Sequence, residues 1–125
     1  MQKYLFIALG GALGSIARFW VGANVTGRMG TRFPYGTLLV NLSACFLIGL
    51  SLELLGRHAE VSPAWRYLVA FGFIGAYSTF STFEWEIFTN LRAGAFWIGI
   101  LYITVSLVFG LIAVALGASL ARSVS

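Results

Sequence analysis

Residues 96–120 contain no charged side chain, and three further stretches, at about residues 4–23, 35–55 and 64–91, are dominated by apolar residues. A hydrocarbon layer about 30 Å thick takes about 20 helical residues per crossing, so four crossings nearly exhaust a chain of 125 residues. With 59% of its residues apolar and 10% charged, the chain has too little polar surface to cover a soluble domain. The expected fold is an all-α integral membrane protein, a single transmembrane domain of four helices over residues 1–125 with no soluble catalytic module. The first apolar stretch is longer than a signal-peptide core and lacks a small-residue cleavage site, so it is read as a retained helix.

Residues 26–34 collect Gly27, Arg28, Gly30, Arg32 and Pro34, which predicts a loop. A second polar stretch carries Arg57, His58 and Glu60, and its Ser62-Pro63 pair suits a turn leading into a helix. Arg92 and Gly94 mark the third turn. The third span is unusual: its middle runs from Gly72 through Gly75, Tyr77, Ser78, Thr79, Phe80, Ser81 and Thr82 to Phe83. Glycines, hydroxyls and aromatics stand where lipid favours aliphatic residues, and this predicts a broken helix whose irregular backbone is met by protein or a polar cavity.

The formal charge of +4 comes from scattered basic residues that form no run, which argues against a nucleic-acid face. Four crossings put Lys3, Arg57, Arg66 and Arg122 on one side and Arg28, Arg32 and Arg92 on the other. Four against three is nearly no bias for the positive-inside rule. Such a chain is expected to insert in both orientations, and the two can pair as an antiparallel homodimer about an axis in the membrane plane. The one cysteine, Cys45, excludes an intrachain disulfide and reads as a small core residue, while His58 reads as a solvated loop residue.

Polar residues at membrane depth are the functional candidates. They are Arg18, Thr37 with Asn41, the Ser78–Phe83 stretch with Glu84 and Glu86 behind it, and Tyr102 with Ser106. Thr37 and Asn41 are four apart, as are Tyr102 and Ser106, so each pair shares a helix face. Phe80 and Phe83, three apart, can turn their rings to one side. Hydroxyl and amide donors, positive phenyl edges and an arginine, with no lysine or histidine among them, suit a small anion. No nucleophile–base or metal-ligand set is placed for catalysis, and no phosphate-binding glycine loop is present, so passive transport is expected rather than enzymatic activity.

Together these residues resemble the Fluc family of fluoride channels, also called CrcB proteins. The likeness rests on Gly11-Ala12-Leu13-Gly14-Ser15-Ile16-Ala17-Arg18, Pro34-Tyr35-Gly36-Thr37-Leu38-Leu39-Val40-Asn41, Ser78-Thr79-Phe80-Ser81-Thr82-Phe83, and Tyr102 with Ser106, in that order along nearly the whole chain. The resemblance implies a dual-topology antiparallel dimer in a bacterial inner membrane, exporting fluoride through two pores at the subunit interface. It implies a fluoride pathway of Asn41, Phe80, Phe83, Ser81, Thr82, Thr37, Tyr102 and Ser106, with Arg18 at a vestibule and Glu86 in a polar track. It also implies a structural sodium ion at the dimer centre, held by the backbone carbonyls of Gly75 and Ser78. This chain departs from the family pattern at Ala76-Tyr77, at Ala44 and at Glu84.

Two rival readings stand beside this one. A small multidrug-resistance-type proton-coupled exporter needs a carboxylate deep in its cavity, and the first span has none. A structural subunit would leave the hydroxyl and aromatic stretch without a purpose.

Overall fold

The computed structural model describes the whole chain, Met1–Ser125. It is helical throughout, in the order α1 (Gln2–Met29), α2 (Tyr35–Arg57), a π-helix (Arg66–Ile74), a single α-helical turn α3 (Gly75–Tyr77), α4 (Phe80–Arg92) and α5 (Phe96–Val124). Three of these, α1, α2 and α5, are long and apolar enough to cross a membrane. At 1.5 Å per residue, the 28 residues of α1 extend about 42 Å, longer than a bilayer's apolar core.

Helix α1 continues past the expected end near residue 23 and takes in the first part of the predicted loop, stopping only at Gly30 (φ 85°). Its polar residues do not break it, because Asn24 donates its side-chain amide to the Trp20 carbonyl one turn back (2.8 Å). Gly94 (φ 80°) ends α4 in a left-handed conformation. There Ala95 N–H donates to the Asn90 carbonyl (2.8 Å) and Gly94 N–H to that of Leu91 (3.1 Å), the Schellman pairing that closes a helix C-terminus. Between α2 and the π-helix, Ser62 Oγ accepts from the Ala64 N–H (3.2 Å), and His58 Nδ1 lies 3.0 Å from Glu60. Glu60's own backbone N–H and the His58 hydrogen bond hold that exposed carboxyl below its usual range.

Glycines set the helix packing. A Cβ on Gly117 would collide with the Phe46 carbonyl and one on Gly49 with that of Val114, so α2 and α5 touch backbone to backbone. Gly10 and Gly14 give α1 the same close approach to the π-helix. Lipid tails supply no hydrophobic drive between helices, and small residues at the contact are what allow van der Waals packing to hold them. Two small apolar clusters fill the remaining interior: Leu38, Phe83, Ile87 and Tyr102 in one, Val40, Ala44, Ile74 and Tyr77 in the other. Most large apolar side chains, among them Leu5, Ile16, Phe19, Trp97 and Leu111, face outward, the inverse of a soluble protein.

Gly117→Ala is expected to lower the unfolding free energy by about 1–3 kcal/mol through overpacking. Gly56→Ala, where a Cβ meets nothing within 4 Å, is expected to be neutral or slightly stabilising. Thermal unfolding in detergent compares the two, and equal melting temperatures would contradict the backbone-contact account.

Candidate functional site

Between Tyr77 and Phe80 the backbone leaves the helix: Ser78 lies at φ −75°, ψ 157° and Thr79 at φ −149°, ψ 116°. Ser78 N–H still bonds the Ile74 carbonyl (3.0 Å), but the Ser78 carbonyl and the Thr79 backbone groups lose their helical partners, and a lipid-facing or dry setting makes each lost bond costly. Asn41, midway along α2, replaces two of them. Its Nδ2 donates to the Thr79 carbonyl (3.0 Å) and its Oδ1 accepts the Thr79 N–H (2.8 Å). One N–H and one acceptor position of the amide remain free.

Thr79 then caps α4, its Oγ1 accepting from the Thr82 N–H (3.2 Å). Phe80 and Ser81 occupy the first two helical positions, so their N–H groups have no intrahelical carbonyl to bond. These free donors lie at the positive end of the α4 dipole. On the other side of the step, carbonyls lose their helical partners, among them those of Gly75 and Ser78. The Thr79 N–H that would bond Gly75 goes to Asn41, and the Thr82 N–H that would bond Ser78 goes to Thr79 Oγ1. Gly75 and Ser78 line one cavity of about 280 Å³ with Ala44, Cys45 and Ile74. No group of three His, Cys, Asp or Glu side chains that could hold a metal ion occurs in the chain.

A cavity of about 270 Å³ opens at the start of α4, with Asn41, Cys45, Thr79, Phe80, Phe83 and Ser106 in its wall. The ring centroids of Phe80 and Phe83 are 6.0 Å apart. Phe83 is 7% exposed and meets Tyr102 edge-on at 4.9 Å, whereas Phe80 is 73% exposed. Ser106 Oγ is buried with no hydrogen-bond partner. No acidic side chain enters this wall.

Thr79 also borders a larger cavity of about 520 Å³, lined by Arg18, Thr26, Thr37, Val40 and Thr82 among others. Arg18 Nε is buried there without a partner. An arginine that no carboxylate neutralises gives the cavity a positive potential.

Two of the expected pathway residues, Thr37 in the wall of that larger cavity and Tyr102 against Phe83, also bond an acid. Thr37 and Tyr102 spend their hydroxyls on one acid: Thr37 Oγ1 donates to Glu86 Oε2 (2.9 Å) and Tyr102 OH to Glu86 Oε1 (2.8 Å). Tyr102 is fully buried. Glu86 reaches a small polar cavity of about 160 Å³ with Thr26, Thr31, Thr89 and Asn90. Ser81 and Glu84 are exposed on the single chain. Sequence reasoning gave Thr79 no separate role within the Ser78–Phe83 stretch, yet it is the residue that the 520 Å³ and 270 Å³ cavities share, and a threonine directly before a helical pattern is an N-cap signal. It also missed Cys45, which lines two cavities and is only partly buried.

Fold and site define a helical membrane protein whose polar groups gather around one non-helical step. Residues 5–118 match the family described as CrcB-like protein, Camphor Resistance (CrcB), and the chain belongs to that family. It is 53% identical over 116 residues to a fluoride-specific ion channel FluC of Acidobacterium capsulatum, an alignment covering 93% of each chain. A fluoride-specific ion channel FluC of Solibacter usitatus is 50% identical over 121 residues, covering 97% of this chain and 99% of the relative. One from Citrifermentans bemidjiense is 43% identical over 123 residues, covering 98% and 99%.

Thr37→Val and Tyr102→Phe each leave one Glu86 oxygen without its donor, and each is expected to destabilise the protein by about 1–3 kcal/mol. Because both donors serve one carboxylate, Glu86→Gln in either background should cost less than in the wild type. Thermal unfolding of the double-mutant cycle measures this, and strict additivity would contradict a shared network.

Proposed function

We propose that this chain is a passive, fluoride-selective channel, and that fluoride passes where α4 begins. The observation that carries the reading is the acid-free cavity at the Thr79 step. It gathers the Phe80 end of α4, the unpartnered Ser106 hydroxyl, the Asn41 side chain and the side chains of Phe80 and Phe83. Fluoride is small and hard, and entering oil it must exchange water for donors already in place. The α4 N–H groups and Ser106 hydroxyl supply them, and the phenyl edges add the positive part of their quadrupole. Arg18 draws anions into the adjoining cavity, where Thr82 and Thr79 lead toward the Phe80 side. The names of the relatives support fluoride as the ion.

The pathway is half-built in one chain. Phe80, at 73% exposure, offers its ring to the outside, and a second copy in the opposite orientation would enclose it. The channel is therefore an antiparallel homodimer with two pores at the subunit interface, each span crossing a bacterial inner membrane and the broken Arg66–Ile74, Gly75–Tyr77 and Phe80–Arg92 series making the fourth crossing. The ion gradient alone drives fluoride out of the cytoplasm. The carbonyls of Gly75 and Ser78, released by the Asn41 and Thr79 hydrogen bonds, are hard neutral oxygens that fit sodium. Sodium held there would neutralise two opposed carbonyl dipoles and tie the two subunits at their breaks. The exporter alternative is disfavoured because the partly buried acid Glu86 has both oxygens engaged by donors.

Liposomes containing the purified protein are expected to release fluoride quickly and chloride scarcely, as read by ion-selective electrodes. Release no faster than from protein-free vesicles would refute the proposal. Phe80→Ile keeps bulk but removes the positive ring edge, and is expected to cut the fluoride rate by about tenfold. Asn41→Asp should abolish flux, since it removes the donor to Thr79 and sets a negative charge in the cavity wall.

A further inference from the structure

We propose that Tyr77 and Ser43 are positioning residues for the pathway: their hydrogen bond fixes the register of α3 against α2, and so brings Thr79 within reach of Asn41. This rests on the fluoride reading above.

Tyr77 is the last helical residue before the extended step and is only 6% exposed, its ring stacked on Phe73 (centroids 5.7 Å apart, planes 16° apart). Its hydroxyl lies 2.9 Å from Ser43 Oγ. Ser43 has one proton, and it is already given to the Val40 carbonyl at 2.9 Å. The direction of the chain follows: Tyr77 OH donates to Ser43 Oγ, which donates to Val40 O. Tyr77 therefore has no second partner of equal quality in hydrocarbon, where a hydroxyl left unbonded is costly.

Antiparallel rungs make the arrangement more than a packing detail. Asn41 pairs with Thr79, and Ser43, two residues on, pairs with Tyr77, two residues back. The two contacts straddle Ser78, one just before the non-helical step at Tyr77 and one within it at Thr79. Asn41 alone would let the preceding turn slide or rotate about a single anchor. With both rungs in place, the Ser78–Thr79 peptide has fixed ends, and the direction in which Phe80 and the first N–H groups of α4 project is fixed with them. Tyr77 touches neither cavity wall at the Phe80 side, so its effect on permeation can only be exerted through the step.

Tyr77→Phe keeps the ring and its stack and removes only the rung, as does Ser43→Ala, whereas Ser43→Thr retains the hydroxyl. Two readouts are taken on each purified protein: fluoride efflux from liposomes relative to wild type, and amide hydrogen exchange of a peptide covering residues 78–83. Tyr77→Phe and Ser43→Ala are each expected to slow efflux and speed exchange by about fivefold, the scale of one lost hydrogen bond. The double variant should match the singles, and Ser43→Thr should match wild type in both readouts. The proposal is overturned if the single variants stay within about twofold of wild type, if their effects multiply in the double variant, or if Ser43→Thr fails to rescue. It is equally overturned if only the melting temperature falls. A wild-type protein that carries no fluoride would remove the channel reading, while the exchange data would still decide whether the rung holds the step.

Discussion

The side chain of Asn41 bonds both backbone groups of Thr79, and the rest of the site depends on that pairing. A peptide that leaves helical geometry inside an apolar protein must have its N–H and C=O met by something other than water. One carboxamide meets both, with the donor and acceptor at the spacing of a peptide unit. Because the Thr79 N–H is taken, the Gly75 carbonyl is released; because Thr79 Oγ1 takes the Thr82 N–H, so is that of Ser78. On the far side, α4 starts abruptly and presents the donors of Phe80 and Ser81. One polar side chain thus creates an electropositive face and an electronegative face a few residues apart.

That local arrangement needs a rigid frame, which comes from backbone contact rather than from a large core. Only 18 of 125 residues are buried within the single chain, so side-chain burial cannot carry the architecture by itself. Gly49 and Gly117 hold α2 against α5, while Gly10 and Gly14 hold α1 against the π-helix. Asn41 and Ser106 are thereby set on neighbouring helices that cannot separate, and Arg18 is brought to the adjoining cavity by α1. Glu86, which would otherwise place an unbalanced acid near these donors, is tied down by Thr37 and Tyr102.

Much of this could be read from the residues in order, because the bilayer demands apolar runs of about 20 residues and leaves each polar exception conspicuous. Asn41, Ser106 and the Ser78–Phe83 stretch stood out for that reason. The end of α1 did not, since Asn24 looks like a loop residue unless its bond to Trp20 is known. The partners of Glu86 were equally hidden: Thr37 is 49 positions away and Tyr102 is 16 away, and no local spacing rule joins them. Thr37 and Tyr102 were expected to line the pathway by their helix faces, but face alone does not say whether a hydroxyl is free or spent on a partly buried acid. The π-helical turn over Arg66–Ile74 left no mark in the apolar pattern, because a wider helix and an α-helix can bury similar runs.

The central claim is that the free N–H groups at the start of α4 receive the anion. Amide NMR spectra of isotope-labelled protein in lipid nanodiscs, recorded through a fluoride titration with chloride as the control, test it most directly. The account predicts that the Phe80 and Ser81 amide resonances move most, and that chloride at the same concentration leaves them in place. Resonances at Phe80 and Ser81 that stay fixed while fluoride shifts others, or that respond equally to both halides, would contradict it.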